Sequence, residues 1–210
     1  VADPADDTFL DAGRPAPWRT AMEAALDGAD AHVPCAGCTA CCRASQFIPV
    51  HPDEADALAA LPAELLFPMP GRPDVRLLGY TEEGHCPMLV DDRCTVYEHR
   101  PRACRAYDCR VFTATGVAPD AELQPAVAAR VGRWRFDVVD ADDRAVLAAL
   151  QAAGRWVEQH GATLAPAVAP VTAVQRALLA LELHGAFLDG PDRPSVEALV
   201  AALEVRLGAR

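Results

Sequence analysis

Lysine is absent from all 210 residues, so every one of the 19 basic side chains other than histidine is arginine. Chemistry that runs through a lysine Schiff base is therefore excluded. Positive charge is scarce as well: 30 acidic residues against 19 arginines give a formal charge of −11. An acidic chain is repelled by phosphate backbones and anionic lipid, which makes nucleic acid and membrane surfaces poor partners. No apolar run approaches the ~18 residues that span a bilayer. The stretch Val1-Ala2-Asp3-Pro4-Ala5-Asp6-Asp7 lacks the apolar core of an export signal. The expectation is a cytoplasmic protein in a reducing compartment, where structural disulfides seldom persist. A Ser/His/Asp order, a phosphate loop and a GxGxxG run are also missing.

What the chain does hold is cysteine. About half of the residues are apolar, enough to bury a core without covalent staples, so the eight cysteines call for another reason. They run Cys35, Cys38, Cys41, Cys42, Cys86, Cys94, Cys104 and Cys109, and the last hundred residues have none. Soft thiolates select zinc, iron–sulfur clusters or copper(I) over hard cations. Two residues between cysteines let both sulfurs turn toward one ion, and Gly37 inside the first loop tolerates an unusual backbone angle. Gathering thiolates without a cation is electrostatically costly. Arg43, Arg100 and Arg105 lie next to cysteines or within the same segments, where their N–H groups suit sulfur or nearby carboxylates and would tune a metal site. His85 borders Cys86 and His99 lies between Cys94 and Cys104, but both read as solvated or supporting histidines. A disulfide framework conflicts with the expected compartment, and a thioredoxin-like dithiol lacks its βαβ surroundings.

The fold expected is α+β and mainly helical, with a metal-stabilised cysteine-rich half of short strands and a hairpin, followed by an α-helical C-terminal half. In the first half the pattern predicts a helix near Trp18–Asp27, an extended segment at Phe47–Val50 and a helix opened by Pro52 through Leu61. Residues 62–74 hold four prolines and a glycine and read as loop. Val75–Tyr80 reads as a strand. Cys86–Val90 and Cys94–Glu98 read as a hairpin around Asp91-Asp92-Arg93, and a short helical turn after Arg100-Pro101 carries Cys104 and Cys109. In the second half a helix over about Pro125–Trp134 is followed by three apolar stripes. These are Val146/Leu150/Ala153/Val157 after an Asp140 cap, Val174/Leu178/Leu181 after Thr172, and Val196/Leu199/Leu203/Leu207 after Ser195. The expected domains are an N-terminal arm and helix over 1–30, a cysteine-cluster metal-binding domain over 31–115 and a helical region over 116–210.

The run Cys35-x-x-Cys38-x-x-Cys41-Cys42, then Cys86-Pro87-x-Leu89, Cys94-x-Val96-Tyr97-Glu98, Arg100-Pro101, Cys104-Arg105 and Cys109, resembles the bacterial CxxCxxCC family of YkgJ type. The resemblance covers about residues 33–112. It implies chelation of zinc or iron by all eight cysteines and does not imply a reaction. Two tetrahedral zinc sites would use every thiolate. A four-iron, four-sulfur cluster would take Cys35, Cys38, Cys41 and one remote cysteine, although in ferredoxins the next cysteine is not adjacent. Three roles stay open: a structural metal module whose helical half meets a protein partner, an iron–sulfur or iron-dependent enzyme whose helical half closes a substrate pocket, and metal storage, delivery or sensing.

Overall fold

The computed structural model describes residues 8–29, 33, 37–166, 168–189 and 193–208. In chain order the elements begin with β1 (Leu10–Asp11), α1 (Pro15–Leu26), β2 (Ile48–Val50), α2 (Ala55–Ala60), β3 (Leu66–Met69) and β4 (Arg72–Leu78). Then follow β5 (Leu89–Val90), β6 (Arg93–Cys94), α3 (Arg102–Ala106), α4 (Arg110–Thr115), α5 (Pro125–Arg133) and β7 (Trp134–Arg135). The chain closes with α6 (Ala141–His160), α7 (Ala173–Leu183) and α8 (Val196–Gly208). The class is α+β and mainly helical, as the residue pattern predicts. No helix among the described residues is long and apolar enough to cross a membrane.

Contacts divide the chain into two compact units. One, here the helical unit, comprises Val1–Ala24, Cys109–Pro119 and Arg130–Arg210; the other, the cysteine unit, comprises Ala25–Asp108 and Asp120–Ala129.

Local chemistry sets the helices of the helical unit. Pro15 occupies the first position of α1, where a missing N–H costs nothing, and the helix starts three residues earlier than its Trp18/Met22 spacing suggests. Asp140 caps α6 by accepting from the Asp143 N–H at 3.0 Å, and Thr172 and Gln175 form a reciprocal capping box on α7. Ser195 Oγ accepts from Ala198 N at 3.2 Å ahead of α8. The expected α6 stripe of Val146, Leu150, Ala153 and Val157 is fully buried. On α7 the buried face differs from expectation: Ala173, Ala177 and Ala180 are buried together with Leu181, whereas Val174 and Leu178 are half-buried. The small alanines bring α7 close to α6, where Ala153 and Val157 share a core with Leu179, Ala180 and Leu183. In α8, Leu203 joins that core, with Val196 and Leu199 packed against it; the side chain of Leu207 lies outside the described set.

One close approach stands out. A Cβ placed on Gly154 of α6 would lie 2.1 Å from the backbone oxygen of Thr115, the last residue of α4. Glycine is what lets α4 and α6 meet at that point. Nearby, Asp143 is fully buried and holds Arg14 Nε at 2.7 Å together with the backbone N–H groups of Ala16 and Val139.

In the cysteine unit a three-stranded antiparallel sheet has the order β2-β4-β3. The region read as loop from residue 62 to 74 in fact contains β3 and the start of β4. Its prolines hid the hairpin: Pro68 sits on an edge strand, and Pro73 falls where the register slips between Met69↔Arg72 and Pro68↔Arg76. A proline without an N–H is tolerated at an edge or at a bulge. Val50, Ala57, Leu61 and Leu78 form the core under this sheet, with Ile48, Cys86, Met88 and Val96 packed against it.

Candidate metal centre

The first cysteine loop turns on Gly37, whose φ is +71°. An L residue adopts that left-handed conformation at a cost of roughly 1 kcal/mol, so glycine suits the unusual backbone angle at this position, as the sequence suggests. Cys35 lies outside the described residues. The chain then makes one 3-10 turn over Cys41–Arg43. Cys86 donates its N–H to the Cys42 carbonyl at 2.7 Å, and Ser45 donates to the Gly84 carbonyl at 2.9 Å. Backbone hydrogen bonds thus join the first loop to the segment that carries Cys86, some forty residues on.

The predicted hairpin is present in reduced form. Leu89 pairs with Cys94 and Val90 with Arg93, leaving Asp91 and Asp92 as a two-residue turn with φ of 48° and 58°. Positive φ at both central positions matches the right-handed twist of the strands. Cys94 rides on an arm, whereas Cys86 precedes the other arm and its carbonyl accepts from Leu89 N at 3.0 Å. The Arg43 guanidinium pairs with the Asp92 carboxylate, and its Nε donates to Thr39 Oγ1 at 3.3 Å. The hairpin turn is therefore held to the residue after Cys42. Ser45, at φ 47°, is the third non-glycine residue with positive φ among the described residues. All three stand within three positions of a cysteine, so backbone cost is concentrated there.

Cys104 arrives on α3. The N-terminus of that helix is held by Glu54, whose carboxylate accepts from the Arg102 N–H, while Asp53 pairs with the Arg102 guanidinium at 2.7 Å. Asp53 and Glu54, which immediately precede α2, thus bond instead to the first residue of α3.

Cys38, Cys41, Cys42, Cys86, Cys94 and Cys104 all line one cavity of about 430 Å³ in the cysteine unit. Its remaining wall is largely apolar and includes Phe47, Ile48, Leu78, Met88 and Val96. Arg93 and Arg100 also line it, and Arg100 lies 3.9 Å over the Tyr97 ring while donating to the Tyr97 carbonyl at 2.8 Å. Arg43 turns to Asp92, and neither it nor Arg105 is among the lining residues. His85 and His99 do not line the cavity. Cys109 belongs to the helical unit, where it precedes α4 and its sulfur accepts from Trp134 Nε1 at 3.2 Å. The short helical turn expected to carry both Cys104 and Cys109 is thus two helices, with Cys109 between them. None of the seven described cysteines forms a disulfide.

Electrostatics link the thiols of the cavity. The hydrogen bond with Cys41 draws Cys42 down to about 7; burial opposes this and the Arg43 charge adds to it. Burial pushes Cys104 up to about 12, and negative charge on Cys86, Cys42 and Cys94 pushes in the same direction. Cys86 and Cys94 are raised by burial first, with Cys42 a further cause in each and a backbone N–H working against the rise. Negative charge on Cys42 therefore makes the thiolates of Cys86, Cys94 and Cys104 harder to form. Among the described residues no three His, Cys, Asp or Glu side chains are placed to share one ion as they stand.

The apolar wall and the Arg43–Asp92 pair were not foreseen from the sequence. Phe47-Ile48 beside the first loop was a local hint of the wall; the pair joins residues 49 positions apart and left none.

Residues 34–122 match the model of the CxxCxxCC family, described as "Putative zinc- or iron-chelating domain". That match supports metal chelation as the work of the segment, with zinc or iron as the metal. No curated protein and no solved structure matches the chain.

Proposed function

We propose that the cysteine unit binds zinc or iron through Cys38, Cys41, Cys42, Cys86, Cys94 and Cys104. The observation that carries this reading is the arrival of six thiols from separate segments at the wall of one cavity. Inert cysteines behave as small apolar residues and have no reason to converge. Here burial and mutual repulsion raise Cys86, Cys94 and Cys104, an arrangement that a cation relieves. The donor set fits the metal: all-sulfur ligation suits zinc and iron and disfavours magnesium or calcium. A divalent zinc or iron held there would supply the positive charge that keeps its ligands as thiolates. Arg93 and Arg100 lend further positive charge at the wall.

The cavity volume supports a second reading, an iron–sulfur cluster. A lone ion with sulfurs at ~2.3 Å fills only a small part of such a space, whereas a cluster of several irons and sulfides occupies much more of about 430 Å³. Both readings are tested by isolating the full chain without oxygen and measuring zinc, iron and acid-labile sulfide. At least one equivalent of zinc or iron is expected, with sulfide equal to iron if the cluster is right. Replacing Cys86, Cys94 or Cys104 by serine should remove most of the metal. Less than about half an equivalent of either metal in the wild type would overturn the reading.

A further inference from the structure

Glu54 is buried, with 8% of its surface exposed, yet it is not among the residues that line the cavity. Both carboxylate oxygens are engaged by backbone donors. Oε2 accepts from the His51 N–H at 2.8 Å, closing the turn that leads from β2 into α2. Oε1 accepts from the N–H of Arg102, the first residue of α3. A buried carboxylate costs several kcal/mol in general unless its lone pairs are satisfied, and these two donors supply that. The same two bonds tie the turn after β2, whose Ile48 and Pro49 line the cavity, to the first turn of the helix that carries Cys104.

From this we infer that Glu54 is a positioning residue for the Cys104 thiol, fixing where α3 begins and so where the sulfur stands relative to Cys42, Cys86 and Cys94. The inference rests on the metal-binding reading above. Cys104 follows Arg102 by two residues, within the turn whose first N–H Glu54 holds. Its own N–H goes to the Pro101 carbonyl at 2.8 Å, so the turn is set as one piece. Asp53, whose pair with the Arg102 guanidinium is exposed, is not needed for this role. Exposed ion pairs are worth only about 0–1 kcal/mol.

The test uses cobalt(II) as the probe, added to the full chain after removal of other metals, with thiolate-to-cobalt absorption and zinc competition as readouts. Glu54→Gln keeps the volume but offers one acceptor oxygen for two donors. It should weaken cobalt binding by about ten-fold or more and change the shape of the absorption band, in keeping with the cost of altering groups behind a ligand. Arg102→Pro removes the donor from the other side. Proline is tolerated at the first helical position, and Pro101 before it already has ψ of 151°, as a residue preceding proline requires. The same loss and the same band change are expected. Asp53→Asn should stay within about three-fold of wild type. Cobalt binding within two-fold of wild type in both Glu54→Gln and Arg102→Pro, with an unchanged band, would overturn the positioning role. A wild type that binds no cobalt would instead overturn the metal-binding reading on which it rests.

Discussion

Gly154→Ala tests the packing of the helical unit with an unusual sign. In an open helix this change is favourable by about 1 kcal/mol, because alanine is the better helix former. At Gly154 the new methyl would sit 2.1 Å from the Thr115 carbonyl oxygen, against the 3.0 Å below which Cβ contacts essentially never occur. That oxygen is backbone at the end of α4, where Gly116 N donates to the Phe112 carbonyl at 2.9 Å and Thr115 Oγ1 to the Val111 carbonyl at 2.7 Å. It cannot swing away like a side chain, so α4 and α6 must separate by most of an ångström. Overpacking of a tight core costs about 1–3 kcal/mol, occasionally more. Set against the helix gain, the net effect is a loss of up to about 2 kcal/mol, or as much as roughly 8 °C in the midpoint for a domain of this size. Gly132→Ala is the matched control: it is a helical glycine in α5, and a methyl added there would meet no atom within 4 Å. It should be neutral or stabilise by up to about 1 kcal/mol. Thermal and urea unfolding followed by circular dichroism read both. If Gly154→Ala is as stable as Gly132→Ala, the close approach of α4 to α6 is wrong.

Two further outcomes are expected. The Asp143 carboxyl is raised by its burial, but Arg14 and the N–H groups of Ala16 and Val139 outweigh this and hold it below the usual range. A depressed carboxyl contributes stability above its unfolded value of about 3.9 and loses it as pH falls through the folded value. The midpoint of the wild type should therefore drop on acidification below about pH 4. Asp143→Asn should start lower at neutral pH and drop less, and parallel acid limbs in the two proteins would refute the argument. Gly37→Ala meets no atom within 4 Å but forces an L residue to φ +71°. It should cost roughly 1 kcal/mol, read as a several-fold weaker zinc affinity in chelator competition; an unchanged affinity would show that the loop does not need the left-handed turn.

The helix starts were legible because their chemistry is local. Asp140, Thr172 and Ser195 each bond a backbone N–H within three residues of themselves, and such pairs are visible in a short window. The β3–β4 hairpin was not legible, because Pro68 and Pro73 signal loop to any local rule, and only the sheet shows that one lies on an edge and the other in a register slip. The face of α7 was misplaced by counting large side chains. Its alanines are buried because a neighbouring helix comes close, and sequence spacing alone does not show that. In the candidate site, residue type and spacing pointed to soft-metal chemistry. The cavity wall of Phe47, Leu78 and Met88 comes from strands and loops far apart in sequence, and the hold of Glu54 on α3 spans 48 positions.

The helical unit is discontinuous: it takes its first segment from before Ala25 and resumes at Cys109. Arg14 must therefore find Asp143 across the whole intervening chain. While that insert of roughly 80 residues is unstructured, joining its ends costs about 4 kcal/mol of closure entropy on a logarithmic scale. Once folded, the insert presents its ends at a fixed separation, and most of that entropy has already been surrendered. On the proposed metal-binding reading, metal taken up by the cysteine unit would lend stability to the helical unit through chain connectivity alone. Added zinc should raise the melting of both units together, and a helical unit whose melting does not move with zinc would refute this link.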